Sequence, residues 1–294
     1  MNPELPRLVA EWERDPLLFE PIELLRRIEV LDLLDRHFPE ANFAMSDLRP
    51  IGAAAAAGDR LRVEAFRAHI EAANESVYED VRAEIRRGNR PESLMRWVDL
   101  AQNEESADAG YGVLDELISS VFRFDEPADV GAEADPELVA YQPTPARCIF
   151  DLIHAAALTA DDVLVDLGSG LGHVPLMTSI CTPARSIGIE REAAYVEQAR
   201  RCAARLNLGR VEFVQQDARA ADLSAGTVFY LYTPFIGTVL RGVLDRLQRE
   251  ARMRPIRVCS YGPCTPMLAQ ESWLEAMTAT GTRQVAFFRS RVAD

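Results

Sequence analysis

The spacing of hydrophobic positions changes once along the chain, near residue 140. Before that point apolar residues recur every three or four positions. Leu24, Leu25, Ile28, Leu31 and Leu34 fall on one helical face. Pro21 stands where a first helical turn tolerates proline, and His37-Phe38-Pro39 is expected to end that helix. A second helix is predicted over 60–87, closed by Gly88-Asn89. A third starts near Pro91-Glu92 and carries Leu94, Trp97, Val98 and Leu100, and a fourth covers 112–122. Strand-like alternation is absent over 5–125.

After residue 140 short runs rich in β-branched residues alternate with helical stretches. The runs are 163–167, 185–189, 211–214, 228–232, 256–260 and 285–288. Strands separated by helices imply βαβ units and a doubly wound, mainly parallel sheet, with helices on both faces. Between the two patterns lies DEPADVGAEADPELVA, acidic and rich in proline, glycine and alanine, which reads as a linker or flap. The expected plan is a helical domain over 1–125, a linker over 126–140 and an α/β domain over 141–294.

Composition narrows the partners. Hydrophobic residues make up 48% and charged residues 27% of the 294, ordinary for a globular protein. The formal net charge is −14. Nucleic-acid affinity comes mainly from cations set against phosphates, so neither DNA nor RNA is the expected partner. Five cysteines without a CxxC pair or clustered histidines argue against zinc and for reduced thiols. The acidic N-terminus has no apolar core of a signal peptide, and no apolar run reaches the roughly 18 residues of a membrane span. A cytoplasmic protein that does not meet a membrane is expected.

The chemistry concentrates in VLVDLGSGLG at 163–172. An apolar strand ends in Asp166, a turn follows with Gly168, Ser169, Gly170 and Gly172, and a helix opens near His173. Glycines let the backbone turn tightly at the strand's C-terminal edge, where open α/β sheets bind ligands. The spacing is GxGxG. A dinucleotide fingerprint needs GxGxxG to cradle a pyrophosphate, and no phosphate-loop lysine follows. A ligand without phosphates but with positive charge suits the acid at 166.

This segment resembles the first motif of the class I S-adenosylmethionine-dependent methyltransferases, and later segments fit in order over about residues 141–290. GIE at 188–190 ends the next strand, with Glu190 standing 24 positions after Asp166. The resemblance implies that Glu190, beside Arg191, takes the ribose hydroxyls. It implies that Asp217 and Ala218, in FVQQDA at 213–218, meet the adenine, and that YLYTPF at 230–235, with Tyr232, lines the methyl-transfer centre. Upstream, YQPTP at 141–145 resembles the lead-in of some lysine methyltransferases of the disruptor-of-telomeric-silencing type. There the loop covers the methionine end of the cofactor, which adds Tyr141 and Thr144 to the expected binding residues. Two prolines that merely stiffen the approach to a helix read equally well.

The acceptor is defined by a departure. Methyltransferases acting on planar amines carry Asn or Asp before Pro-Pro-aromatic, whereas this chain has Tyr232-Thr233-Pro234-Phe235. The lysine-directed relatives carry Asn there too. An oxygen acceptor on a small molecule is therefore expected, with His173 and Tyr232 as candidates for proton transfer. His173 reads equally as a helix residue without catalytic role. A protein lysine methyltransferase and a non-catalytic S-adenosylmethionine-binding module are the rival readings, and a nicotinamide oxidoreductase is disfavoured by the glycine spacing. The helical half is expected to be a lid or a dimerisation module, so a homodimer stands beside the monomer.

Overall fold

The computed structural model describes residues 5–37, 53–88, 90–103, 107–125, 137, 139 and 141–291. The N-terminal part is helical. It comprises α1 (Leu5–Trp12), two short 3-10 turns (Pro16–Phe19 and Pro21–Glu23), α2 (Leu24–His37), α3 (Ala53–Arg86), α4 (Glu92–Asn103) and α5 (Ala107–Phe122). Helix α3 begins at Ala53 rather than near 60, because an alanine run has the highest helix propensity. Helix α5 begins at Ala107 and absorbs Gly112 in its interior. Phe38, Pro39 and Asn89 lie outside the described residues, as does the expected linker apart from Glu137 and Val139.

The C-terminal part runs α6 (Ala146–Ala156), β1 (Val163–Leu167), α7 (His173–Cys181), β2 (Arg185–Glu190), α8 (Ala193–Arg205), β3 (Val211–Gln215), β4 (Val228–Leu231), α9 (Gly237–Met253), β5 (Arg257–Ser260), α10 (Thr265–Ala269), β6 (Leu274–Ala276) and β7 (Ala286–Ser290). The seven strands lie in the order β3-β2-β1-β4-β5-β7-β6. The first five are parallel, and β7 and β6 run antiparallel to their neighbours. All six predicted strands form. Strand β6 escaped sequence reading because its three residues are too few to alternate.

Burial separates the two faces. Val163, Val165 and Leu167 of β1 join α9 and α10 in one core. Leu164 joins the other, which contains α6, α7 and α8 together with Leu114, Leu117, Val121 and Phe122 of α5 and Val77, Val81 and Ile85 of α3. The helical layer therefore shares one core with the sheet. A third cluster, with Val9, Leu34, Phe66 and Ile70, holds the outer helices together.

Arginines fasten α5 at its C-terminus, where helix carbonyls lack intrahelical partners. Buried Arg82 of α3 donates to the carbonyls of Ser120 and Val121. Arg205, at the end of α8, donates to those of Phe122 and Arg123.

Candidate active site

The chain leaves β1 for β2 and β3 on one side, then crosses back to β4 on the other. Strand order reverses between β1 and β4, and ligands of open α/β sheets bind at such a switch point, beyond the strands' C-terminal ends. The loops after β1 and β4 meet there. A Cβ on Gly168 would lie 2.3 Å from the Cβ of Pro234.

The turn after β1 needs its glycines. Gly168, Gly170 and Gly172 have φ of +83°, +51° and +85°, a region costly for side chains with a Cβ. The Gly168 and Ser169 amides donate to the Ile189 carbonyl at 2.8 and 3.0 Å, which ties the turn to the end of β2. Phe213 of β3 fills the space left by Gly172 and Gly188; a Cβ on either would meet its ring at 2.4 and 2.6 Å. The Ser169 hydroxyl is buried and has no hydrogen-bond partner among the described residues.

Carboxylates surround this turn. Asp166 is buried, and desolvation, reinforced by the neighbouring charge of Glu190, raises its pKa well above the usual carboxylate range. Both influences oppose ionisation, which a cation placed beside Asp166 would offset. Glu190 accepts the Gly170 amide at 2.8 Å and the Glu192 amide at 2.9 Å, one on each oxygen. A carboxylate has about four lone-pair sites, so each oxygen retains acceptor capacity. At the end of β3, Asp217 is clamped by the Arg219 guanidinium at 2.6 and 3.0 Å and accepts the Arg219 amide at 2.8 Å. Those bonds hold its carboxyl below the usual range, with Arg191 adding positive field. Ala218 is buried beside it, and Arg191 is half-exposed.

Tyr141 lies over the turn. A Cβ on Gly170 would stand 2.1 Å from the Tyr141 ring. That ring is also tilted against Tyr195 of α8 with centroids 5.1 Å apart. Thr144 is buried, its hydroxyl 3.4 Å from the Tyr230 hydroxyl at the end of β4.

The two candidate proton-transfer residues have different surroundings. His173 is buried, with Nδ1 3.0 Å from the Tyr141 hydroxyl and its ring edged by Phe122 and Phe124. Desolvation lowers its pKa to about 4, so the imidazole is neutral near pH 7. Tyr232 follows β4, with its hydroxyl 3.4 Å from Gln142 Oε1 and its ring 4.8 Å from that of Tyr261, which follows β5. Desolvation raises both phenols, Tyr261 to about 12.

Thr233 between them is a β-branched residue at φ 39°, a strained backbone that persists only when its surroundings fix it. Its hydroxyl donates to the Tyr261 carbonyl at 3.1 Å and accepts the Cys264 amide at 3.1 Å, locking the β4 and β5 loops together. Sequence reasoning missed Thr233, Tyr195, Phe213 and Arg219. The glycine at 188 hinted at Phe213; Arg219 acts on its near neighbour Asp217 without a pattern that marks it, and Thr233 and Tyr195 depend on contacts between distant segments.

The strand order, the glycine turn after β1 and the acids ending β1 and β2 match the fold that the resemblance to the class I S-adenosylmethionine-dependent methyltransferases implies. Solved structures of that fold are similar to this chain. An RNA methyltransferase from Salinibacter ruber in complex with S-adenosyl-L-homocysteine is 26% identical over 51% of this chain and 92% of its own, with a TM-score of 0.42. A methyltransferase from Geobacter sulfurreducens is 18% identical over 56% and 92%, with a TM-score of 0.38. A second from that organism, in complex with S-adenosyl-L-homocysteine, is 21% identical over 41% and 50%, with a TM-score of 0.34. No protein-family model and no curated protein matches the chain.

Proposed function

We propose that the chain is an S-adenosylmethionine-dependent methyltransferase that acts on an oxygen of a small molecule, a carboxylate above all. The observation that carries the cofactor assignment is the buried Asp166 beneath a glycine turn at the switch point. Its neighbour is another carboxylate and the nearby Ser169 hydroxyl is unpartnered. These residues fit the group. Asp166 suits an ammonium, Glu190 keeps capacity for ribose hydroxyls, Ser169 has a free donor, and the glycines keep side chains away from the turn.

When bound, the cofactor supplies an electrophilic methyl on a sulfonium. The remaining work is to align and desolvate the acceptor. Tyr232 and Tyr261 offer two ring faces and two hydroxyls at the ends of β4 and β5. With raised pKa values these phenols stay protonated, so they donate hydrogen bonds and are poor bases near pH 7. The Cys148 thiol is likewise raised by burial. His173 is neutral but engaged with Tyr141. An acceptor already ionised in solution suits such a site, and a carboxylate with a pKa near 4 is one. The Arg147 guanidinium lies close enough to influence both Tyr261 and Cys148, adding positive field for an anion.

The test is methyl transfer from isotope-labelled S-adenosylmethionine to pools of small carboxylic acids, phenols, amines, basic peptides and RNA, with mass spectrometry of the product. Label in a base-labile methyl ester is the expected result. A methylated nitrogen would overturn the oxygen assignment, and label in a peptide or RNA would overturn the small-molecule assignment.

A further inference from the structure

A continuous aromatic path joins the helical layer to the glycine turn. It begins at the C-terminal end of α5, which Arg82 and Arg205 hold by its last carbonyls. Phe122 and Phe124 leave that end and meet the His173 ring, with centroids 5.7 and 5.1 Å away at 60° and 57°. His173 Nδ1 meets the Tyr141 hydroxyl at 3.0 Å, and the Tyr141 ring lies on Gly170. The phenol and a neutral imidazole can make this bond in either direction, so it ties Tyr141 to His173 whichever ring nitrogen carries the proton.

Resting on the cofactor reading above, we infer that His173 is a positioning residue that holds Tyr141 as the wall of the cofactor cradle on behalf of α5, so that the helical layer sets cofactor affinity. Burial keeps the imidazole neutral, which suits it to accept from a phenol at ordinary pH. Tyr141 supplies surface against Gly170, where the turn has no side chain of its own, and Tyr195 backs its ring from α8. Residues 32 positions apart hold the wall, and α5 holds the residue that orients it. The inference gives the N-terminal helices a part in cofactor binding, although every cofactor motif in the sequence lies after residue 140.

The experiment titrates the full-length protein with S-adenosylhomocysteine by calorimetry, and the readout is affinity. Tyr141→Phe deletes only the hydroxyl and leaves the ring, so it tests the bond without threatening the fold. It is expected to weaken binding by roughly five- to tenfold, the worth of one hydrogen bond. His173→Ala should weaken binding at least as much, and the double variant should be no worse than the weaker single variant, because both remove the same bond. His173→Gln, whose amide can accept from the phenol, should recover part of the loss. Phe124→Ala should weaken binding in the wild-type background and leave Tyr141→Phe unchanged. Wild-type affinity in Tyr141→Phe, additive losses in the double variant, or tighter binding in either single variant would overturn the inference while leaving the cofactor reading intact. Failure of the wild-type protein to bind S-adenosylhomocysteine would overturn the cofactor reading, and this inference with it.

Discussion

The β1–β2 edge and the β4–β5 edge of the same sheet are built by different means. At the first, backbone does the work. Three glycines in the left-handed region, amides donated to Ile189 and two carboxylates define the cradle, and all lie within a short stretch of chain. At the second, side chains from separate segments do it. Tyr232, Tyr261 and Gln142 converge there, and strained Thr233 bonds the β5 loop to fix their spacing. Local geometry can be written in a motif, whereas convergence requires the whole fold. Cofactor binding should therefore fail through single changes in the turn, and acceptor handling should degrade by degrees.

The largest effect expected is from removing residues 1–125. Leu114, Leu117, Val121 and Phe122 share a core with Ile149, Leu152, Val174 and Leu176. Stripping them exposes a contiguous apolar face, and such faces aggregate. The fragment should lose its cooperative melting transition in circular dichroism. A soluble fragment with a sharp transition would make the two halves independent domains and separate cofactor binding from the helical layer.

Gly170→Val comes next. It places a branched side chain at φ +51° and drives a Cβ into the Tyr141 ring. S-adenosylhomocysteine affinity should fall by more than about 100-fold, a loss of over roughly 2.7 kcal/mol, while far-ultraviolet circular dichroism is retained. Near-native affinity would mean that the cofactor does not approach this turn.

Asp166→Asn should move function and stability in opposite directions. The raised pKa of Asp166 means that its ionised form is disfavoured in the folded protein, so stability is lost as pH rises through that pKa. Neutralising it should raise the melting temperature at pH 7–8 by a few degrees, where 1 kcal/mol is worth roughly 1.5–2 °C in a protein of this size. It should also abolish measurable cofactor binding. A lower melting temperature would show that the buried carboxylate is paired and does not await a cation.

His173 gives the opposite pH dependence. Its folded pKa of about 4 lies below the ordinary value of 6.5, so the unfolded chain binds the proton first. Its contribution is complete above pH 6.5 and is lost as pH falls toward 4, at up to about 1.4 kcal/mol per pH unit. Denaturant melts of wild type and His173→Asn across that window should converge toward acid pH. Parallel curves would mean that His173 is not desolvated.

The smallest effect should come from Tyr232→Phe. Its hydroxyl touches exposed Gln142 at a long 3.4 Å. Turnover should fall less than about tenfold, because a partly exposed hydrogen bond contributes roughly 1 kcal/mol. A loss above about 1,000-fold would make that phenol a proton-transfer group.

The same contrast governs what the sequence made legible. The strand from 163 to 167, its glycine turn and the acids at 166 and 190 could be read because each depends on residues close in sequence. Helix α3 was longer than its predicted start because alanines carry no amphipathic signal yet favour helix. The surroundings of His173 were not legible. They depend on Phe122, which edges the His173 ring, and on Tyr141, whose hydroxyl meets Nδ1, both distant in sequence. The clamp on Asp217 from Arg219, two positions on, was local but carried no pattern that marked it.

The most direct measurement is calorimetric titration of the purified full-length protein with S-adenosylhomocysteine and, separately, with NAD, for wild type and Glu190→Ala. Saturable one-to-one binding of S-adenosylhomocysteine is expected, with no heat from NAD, and Glu190→Ala should weaken affinity by about 1–3 kcal/mol, the range for hydrogen bonds to a charged group. NAD binding without a response to S-adenosylhomocysteine, or Glu190→Ala affinity equal to wild type, would contradict this expectation.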